Sequence, residues 1–293
     1  MIYPKTSIVV ATYNNANVLR KTLNGLIQIV YPNDFEIIVV NDGSTDNTKQ
    51  VLEKEFSNIF NIKIINFEKN SGVCKARNAG IALAQYEFVV NMDHDCVPSK
   101  SWLKDLISGF SSDKIGVVSS YGGFGGTSTA FRKNLLNKVG GYDEDYYYYR
   151  EDTDLTFKII ELGYEFKLVK AEYFHDHTES KPLTIVNMLK YVFQRWKYHM
   201  NDVLLYKKHP RLAGDFLNIK FGFLISPLSD ISLATNTWEK GRPLALSSPR
   251  GIVLIENKTI VHALVIVGVG IGYMFGLKFF RLLGSLKYGK FLI

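Results

Sequence analysis

Cysteine is scarce in this chain of 293 residues, where Cys74 and Cys96 are the only two. Two cysteines make no disulfide framework, and their spacing matches no zinc-ligand pattern, so a reduced, cytosol-facing setting is expected. The opening stretch "MIYPKTSIVVATYNN" lacks a charged segment followed by a long apolar run and a small-residue cleavage site. No secretory signal is read there. Internal repeats are also lacking, and the four tyrosines at 146–149 are the one low-complexity feature. Apolar residues are plentiful: 46% hydrophobic and 13% aromatic content suffices for a buried core and excludes global disorder.

The net charge of +7 is unevenly spread. Residues 181–293 hold 16 Lys/Arg against 5 Asp/Glu, whereas residues 1–180 hold 19 against 23. This asymmetry predicts two units with different jobs, a domain over 1–180 and a basic helical region over 181–293. A basic surface can meet nucleic acid or an anionic membrane. Long apolar stretches in the same region favour the membrane, and no nucleic-acid partner is expected.

The segment 259–277, "TIVHALVIVGVGIGYMFGL", carries no formal charge. Its length approaches the roughly 20 residues that a bilayer-spanning helix needs. Gly268, Gly272 and Gly276 form a small-residue stripe that lets another helix or an apolar sheet approach. Lys278, Arg281, Lys287 and Lys290 follow, which by the positive-inside rule places the tail in the cytosol. A cytosolic catalytic domain then needs a second crossing or a re-entrant segment, for which 221–234 is the candidate. Region 183–206 reads as an amphipathic helix, packed or interfacial, with Ile185, Leu189, Val192, Phe193 and Trp196 near one face.

In the first 180 residues, β-branched apolar runs recur at 7–11, 35–40, 62–67, 87–91 and 115–120. Helical periodicity occupies 16–28, 46–57, 72–84 and 99–110. Such alternation predicts an α/β fold with a mostly parallel sheet covered on both faces. Further on, a strand-like "TSTAF", helices over Lys133–Val139 and up to Gly163, and short strands at 165–169 and 172–175 are expected. Ligands in open α/β sheets bind at the carboxyl ends of the strands. The polar turns "TYNN", "NDGSTD", "EKNSG" and "DHD" should therefore converge on one edge.

Each turn has a functional and a bland reading. Asp42 ends a strand, where its carboxylate can accept hydrogen bonds from a base or ribose, or simply shape a turn. Asp46 is read as a helix cap. Ser71 and Gly72 open a helix whose first-turn N–H groups suit an anion, with Lys75 and Arg77 adding positive charge. Asp93 and Asp95 leave three readings open: shared ligands of a hard divalent cation, a phosphatase-type nucleophile pair, or an acidic turn. In "YREDTDL", Glu151 or Asp152 can serve as a general base, while Asp154 reads as capping and solvation. His175 and His177 are either structural or metal contacts.

Taken in order, "SIVVATYNN", "VVNDGSTDNT", "NSGVCKARNAG", "NMDHD", "GTSTAFRKNLLNKVGGYDED", "REDTDL" and "YFHDH" resemble glycosyltransferase family 2 over roughly residues 6–178. The resemblance implies a GT-A, Rossmann-like nucleotide-sugar-binding fold and an inverting transfer from a nucleotide-diphosphate sugar. It implies nucleoside contacts at Thr12, Tyr13 and Asp42, with Arg77 nearby and Asp93 close to the ribose or diphosphate. It implies Asp95 as ligand of Mn2+ or Mg2+, with His175 completing the shell and His177 as fallback. Asp152 matches the general base, preceded by Glu151 in the substrate site. Asn41, where the family often has Asp, and His94 between the two aspartates depart from the pattern. A glycan or lipid-linked acceptor at the cytoplasmic face of the cell membrane follows from the basic, apolar rear region.

Three competitors are weaker. A phosphatase would carry its nucleophilic Asp early in the chain, and a nucleotidyltransferase would carry a glycine-rich loop where "ATYNNAN" stands. A degenerate membrane scaffold would have no need of both acidic pairs.

Overall fold

The structure is a computed structural model that describes residues 3–176, 184–226, 244–248, 251–255 and 259–293. The chain divides into two compact units, Met1–Glu179 and Ser180–Ile293.

The first unit is built on a seven-stranded sheet. Its strands are β1 (Thr6–Thr12), β2 (Phe35–Asn41), β3 (Ile62–Asn66), β4 (Phe88–Asn91), β6 (Ile115–Ser119), β7 (Thr129–Arg132) and β8 (Glu165–Leu168), in the order β3-β2-β1-β4-β7-β6-β8. Pairing is parallel except around β7, which runs antiparallel to both β4 and β6. The mostly parallel α/β architecture expected from the strand–helix alternation is present, with that one reversal. A separate pair, β5 (Cys96–Pro98) and β9 (Tyr173–His175), lies outside the main sheet.

Alternation along the strands explains the two covered faces. Ile8, Val10, Ile37, Val39 and Val90 are fully buried in a core with Leu19, Leu23 and Leu26 of α1 (Ala16–Ile27) and Trp102, Leu103 and Leu106 of α4 (Trp102–Ile107). Val9 and Val40 point the other way, towards α3 (Val73–Leu83), where a Cβ on Gly80 would lie 2.4 Å from Val9 Cγ1. That glycine lets the helix sit close on the sheet. Between them, Thr48–Val51 forms α2 and continues as a π-helical turn through Phe56. The remaining helices of this unit are α5 (Lys133–Val139) and α6 (Glu151–Glu161). Gly163, at φ +91°, follows the end of α6 as expected of a left-handed terminator.

In the second unit the predicted 183–206 helix is two helices, α7 (Ile185–Tyr198) and α8 (Met200–Lys208), divided at His199. His199 Nδ1 bonds Asp202 Oδ2 at 2.8 Å, and Arg281 Nε reaches the same oxygen at 3.2 Å. Helix α9 (Pro210–Phe216) precedes a hairpin of Ile219–Lys220 and Leu224–Ile225, so the described part of 221–234 is turn and strand. The rest of that segment, and His177, lie outside the described residues. A second hairpin pairs Leu244–Ser248 with Gly251–Ile255.

The last helix runs from Ile260 to Tyr288. Lys278, Arg281 and Lys287 are therefore on the helix itself, not in a tail after 277, since Gly284 is packed within the helix and the chain leaves it only at Gly289, φ +67°. The stretch Val267–Tyr288 is long and apolar enough to cross a bilayer, with an 18-residue window that averages a hydropathy of 1.3. Of the glycine stripe, Gly276 packs on the Trp196 ring, whereas a Cβ at Gly268 or Gly272 would meet nothing within 4 Å.

Candidate active site

The polar turns do meet at the carboxyl edge of the sheet. Asn14 Oδ1 accepts from the Thr45 amide at 2.7 Å, and the Asn14 amide donates to Ser44 Oγ at 3.0 Å, which ties the first turn to the second. Gly43, at φ +66°, allows the second turn to touch the third, since a Cβ there would fall 2.2 Å from the Lys69 carbonyl carbon. His94 shares a 2.9 Å hydrogen bond with Asn15, joining the first turn to the fourth. The role of this unusual residue is therefore a brace between turns.

Asp42 is buried, and its oxygens accept from the backbone amides of Ser71 at 2.7 Å and Gly72 at 2.9 Å. The amides that the sequence offers to an outside anion thus hold an internal carboxylate. Asn41 donates from Nδ2 to Asn66 Oδ1 and accepts at Oδ1 from the Ser44 amide. A carboxylate could not make that donation, which gives the departure from Asp a structural reason. Asp46 caps two elements, accepting from the amides of Thr48 and Ala16. Thr12 is buried with no partner for Oγ1 among the described residues, while Tyr13 is exposed.

Arg77 is the hub. Only 6% exposed, its guanidinium meets Asp93 at 2.9 Å, Asp152 at 3.1 Å and Glu151 at 3.4 Å. One cation thus joins the strand-end acidic pair to the acidic start of α6, drawing together residues that the sequence places in separate motifs. Burial pushes the Glu151 carboxyl well above its ordinary value, and the neighbouring Asp152 charge adds to this against Arg77. Asp152 is also raised, first by burial and then by Asp93, with Arg77 and Tyr142 opposing. Tyr142 and Asn91 are members that the motif reading missed. The Tyr142 hydroxyl donates to Asp152 Oδ1 at 3.0 Å and accepts from Asn91 Nδ2. Both residues stand inside quoted motifs, but no periodicity places them together.

The approach to Asp152 is shaped by backbone. Gly125, at φ +113°, lies where a Cβ would come within 2.9 Å of Asp152 Cβ, so the glycine-rich loop lies against this residue. Tyr149 and Arg150, immediately before Glu151, both take positive φ, 74° and 78°. Two consecutive non-glycine residues in that region store strain where the acidic pair begins. Asp154, read as solvated, is instead fully buried and ion-paired with Lys158 at 2.9 Å.

The second cluster is Asp95 with His175. Pairing of Cys96 with His175 across β5 and β9 brings His175 Nε2 to 3.2 Å from Asp95 Oδ2. Burial alone would raise Asp95, but the His175 hydrogen bond and the histidine charges hold it below its usual value. The same hydrogen bond raises His175. A ligand atom from each of Asp95, Cys96 and His175 lies within 4.8 Å of the others. Burial holds the Cys96 thiol protonated, so it does not suit a hard cation. The partly exposed Asp95 carboxylate suits Mn2+ or Mg2+, whereas the His175 imidazole is a ligand for a transition metal rather than for Mg2+.

Residues 7–178 match the family model described as glycosyl transferase family 2. The chain belongs to glycosyl transferase family 2. Among curated proteins, the probable glycosyltransferase YdaM of Bacillus subtilis (strain 168) is 29% identical over 210 residues, covering 57% of this chain and 49% of its own. Poly-β-1,6-N-acetyl-D-glucosamine synthase of Staphylococcus epidermidis is 29% identical over 197 residues, 55% of this chain and 47% of its own. This family 2 chain spans about half the length of the curated relatives it matches. Among solved structures, a mannosyltransferase from Pyrobaculum calidifontis, in complex with GDP-Man and Mn2+, superposes with a TM-score of 0.63 at 18% identity. The match covers 98% of this chain and 87% of that one, and it identifies the fold as GT-A-like.

Proposed function

We propose that this family 2 member is an inverting, divalent-metal-dependent glycosyltransferase. It moves a sugar from a nucleotide-diphosphate sugar to a hydroxyl of a glycan or lipid-linked acceptor. The observation that carries this reading is the Arg77 bridge, which holds Asp152 against the strand end that bears Asp93 and Asp95. A base and a diphosphate-side acidic pair then share one pocket edge, as displacement at a sugar carbon requires.

In this reading Thr12, Tyr13 and Asp42 line the nucleoside end, and Asp42 acts largely by setting the α3 start. Asp93 faces the ribose or diphosphate, and Glu151 and Arg77 belong to the substrate site, Arg77 through its grip on Asp152 and Glu151 through its contact with Arg77. Asp95 and His175 would hold the cation, which when bound neutralises charge growing on the leaving diphosphate. Asp152 takes the proton of the acceptor hydroxyl as its oxygen bonds to the anomeric carbon. The bond to the diphosphate breaks on the opposite face, its electron pair leaving with the nucleoside diphosphate. The raised Asp152 basicity suits that task, since burial makes the carboxylate a better proton acceptor.

Residues 1–180 would be the catalytic domain and 181–293 an appendage at the cytoplasmic face of the cell membrane. Support comes from the second unit's basic charge and its exposed apolar side chains, among them Leu189, Phe193, Phe275, Phe279 and Leu286. A relative named for N-acetylglucosamine polymer synthesis makes an N-acetylglucosamine nucleotide the first donor to try.

The test incubates the full chain with a panel of nucleotide sugars and Mn2+ or Mg2+, with and without membrane lipid extract. Release of nucleoside diphosphate from one donor is expected, and Asp152→Asn should abolish transfer while donor binding persists. No donor bound and no diphosphate released under any condition would end the transferase reading.

A further inference from the structure

Asp152 is held by an arrangement more elaborate than a base alone requires. Its two described hydrogen bonds arrive at one oxygen, Oδ1, from Arg77 at 3.1 Å and from the Tyr142 hydroxyl at 3.0 Å. Both arms trace back to the end of β4. Arg77 is anchored on Asp93, and the Tyr142 hydroxyl accepts from Asn91 Nδ2. Residues 91 and 93 therefore steady, from one strand end, a carboxylate that sits on α6.

Tyr142 is itself pinned. Asn78, next to Arg77 on α3, accepts from the Tyr142 amide at 2.8 Å and donates to its carbonyl at 2.9 Å. The guanidinium of Arg77 lies over the Tyr142 ring, 5.2 Å from its centroid. Burial, reinforced by the Asp152 charge, keeps the phenol protonated far above its ordinary range, so it serves as a fixed donor. Such a donor, fully enclosed and backed by an amide, costs no reorganisation when charge at the carboxylate changes.

We infer that Tyr142, steadied by Asn91, is a positioning residue that occupies Oδ1 of Asp152 and so dedicates Oδ2 to the acceptor proton. The Asp152 side chain is 19% exposed, which leaves it reachable from one side. A carboxylate free to rotate would present either oxygen at a range of angles, and proton transfer is sensitive to such misplacement. With Oδ1 tethered twice, rotation breaks a charge-assisted bond.

This inference rests on Asp152 being the base, and the experiment separates the two. Tyr142→Phe keeps the ring against Arg77 and removes only the hydroxyl; Asn91→Ala and the double variant complete a cycle, with Asp152→Asn in parallel. A hydrogen bond to a charged group is worth about 1.5–3 kcal/mol, so kcat of Y142F should fall about tenfold or more, with donor KM unchanged. The charged and titratable groups around Asp152 are Arg77, Asp93, Tyr142 and Glu151. Losing the Tyr142 donor should therefore move the acid limb of the kcat profile to higher pH. Because Asn91 acts through the hydroxyl, N91A should slow the native enzyme yet add nothing in the Y142F background.

A native kcat and acid limb in Y142F overturn the inference, as does strict additivity with N91A or a loss confined to donor KM. If Y142F is native while D152N is inactive, only the positioning role fails. An active D152N removes the base itself.

Discussion

Replacing Arg77 by methionine probes the bridge on which the site depends. Methionine keeps most of the stem and removes the charge together with five N–H donors. In the native chain the cation meets Glu151 at 3.4 Å, Asp152 at 3.1 Å and Asp93 at 2.9 Å. Stripping the partner from a buried ion pair costs about 3–5 kcal/mol. Asp93, 36% exposed, adds little because solvent screens it. In a domain of this size each kcal/mol moves the melting midpoint by about 2–4 °C, so R77M should melt roughly 6–20 °C lower near neutral pH.

The pH dependence has a definite sign. Without Arg77, Glu151 and Asp152 lose the cation that opposes burial, and their folded pKa values rise further above the unfolded ones. Stability from a raised pKa is present below the unfolded carboxylate value, about 4, and is lost as pH rises through the folded value. The gap between native and variant should be widest at about pH 8 and narrow towards about pH 5. Circular-dichroism melts of both proteins across that range give the measurement. A gap that stays constant, or a variant that melts with the native chain, would refute the bridge.

His175→Ala should weaken Mn2+ binding about tenfold or more by calorimetry, and unchanged affinity would remove His175 from the ligand set. Asp95 raises the His175 pKa, so native metal affinity should drop as pH falls through that raised value, where proton and metal compete for Nε2. On the proposed lipid contact of the second unit, replacing exposed Phe275 and Phe279 by glutamine should withdraw about 2 kcal/mol of apolar burial per side chain. Flotation with anionic vesicles should fall sharply, and unaltered flotation would count against lipid contact there.

Much of the sheet was legible because its signal is local. The runs at 7–11, 35–40 and 115–120 are strands within a residue or two, since β-branched side chains buried on both faces leave an uninterrupted apolar record. Residues 99–110 give a shorter helix, Trp102–Ile107, closed by the Gly109 amide turning back to Leu106. β5 escaped notice because Cys96–Pro98 is too short for any alternation to register. At the last helix, composition marked 259–277 correctly as apolar, but charge content is a poor guide to where a helix stops. Arg281 continues the helix because Asp202 receives its charge from another element of the same unit.

The sequence by itself determined the alternation of strand and helix, the acidic residues at strand ends and the family to which they belong. Each is written in neighbouring residues, through side-chain periodicity and turn chemistry. Only the tertiary structure decided who partners whom. The sequence reads Arg77 as positive charge beside an anion site; the enclosure of its guanidinium among Asp93, Glu151 and Asp152 makes it an internal bridge. Asp42 likewise answers to amides that come from a different turn. His175 reaches Asp95 because β9 pairs with β5, and Tyr142 reaches Asp152 because Asn78 holds its backbone. Such pairings depend on packing between distant segments, where burial makes an unmatched charge costly enough to choose its neighbour.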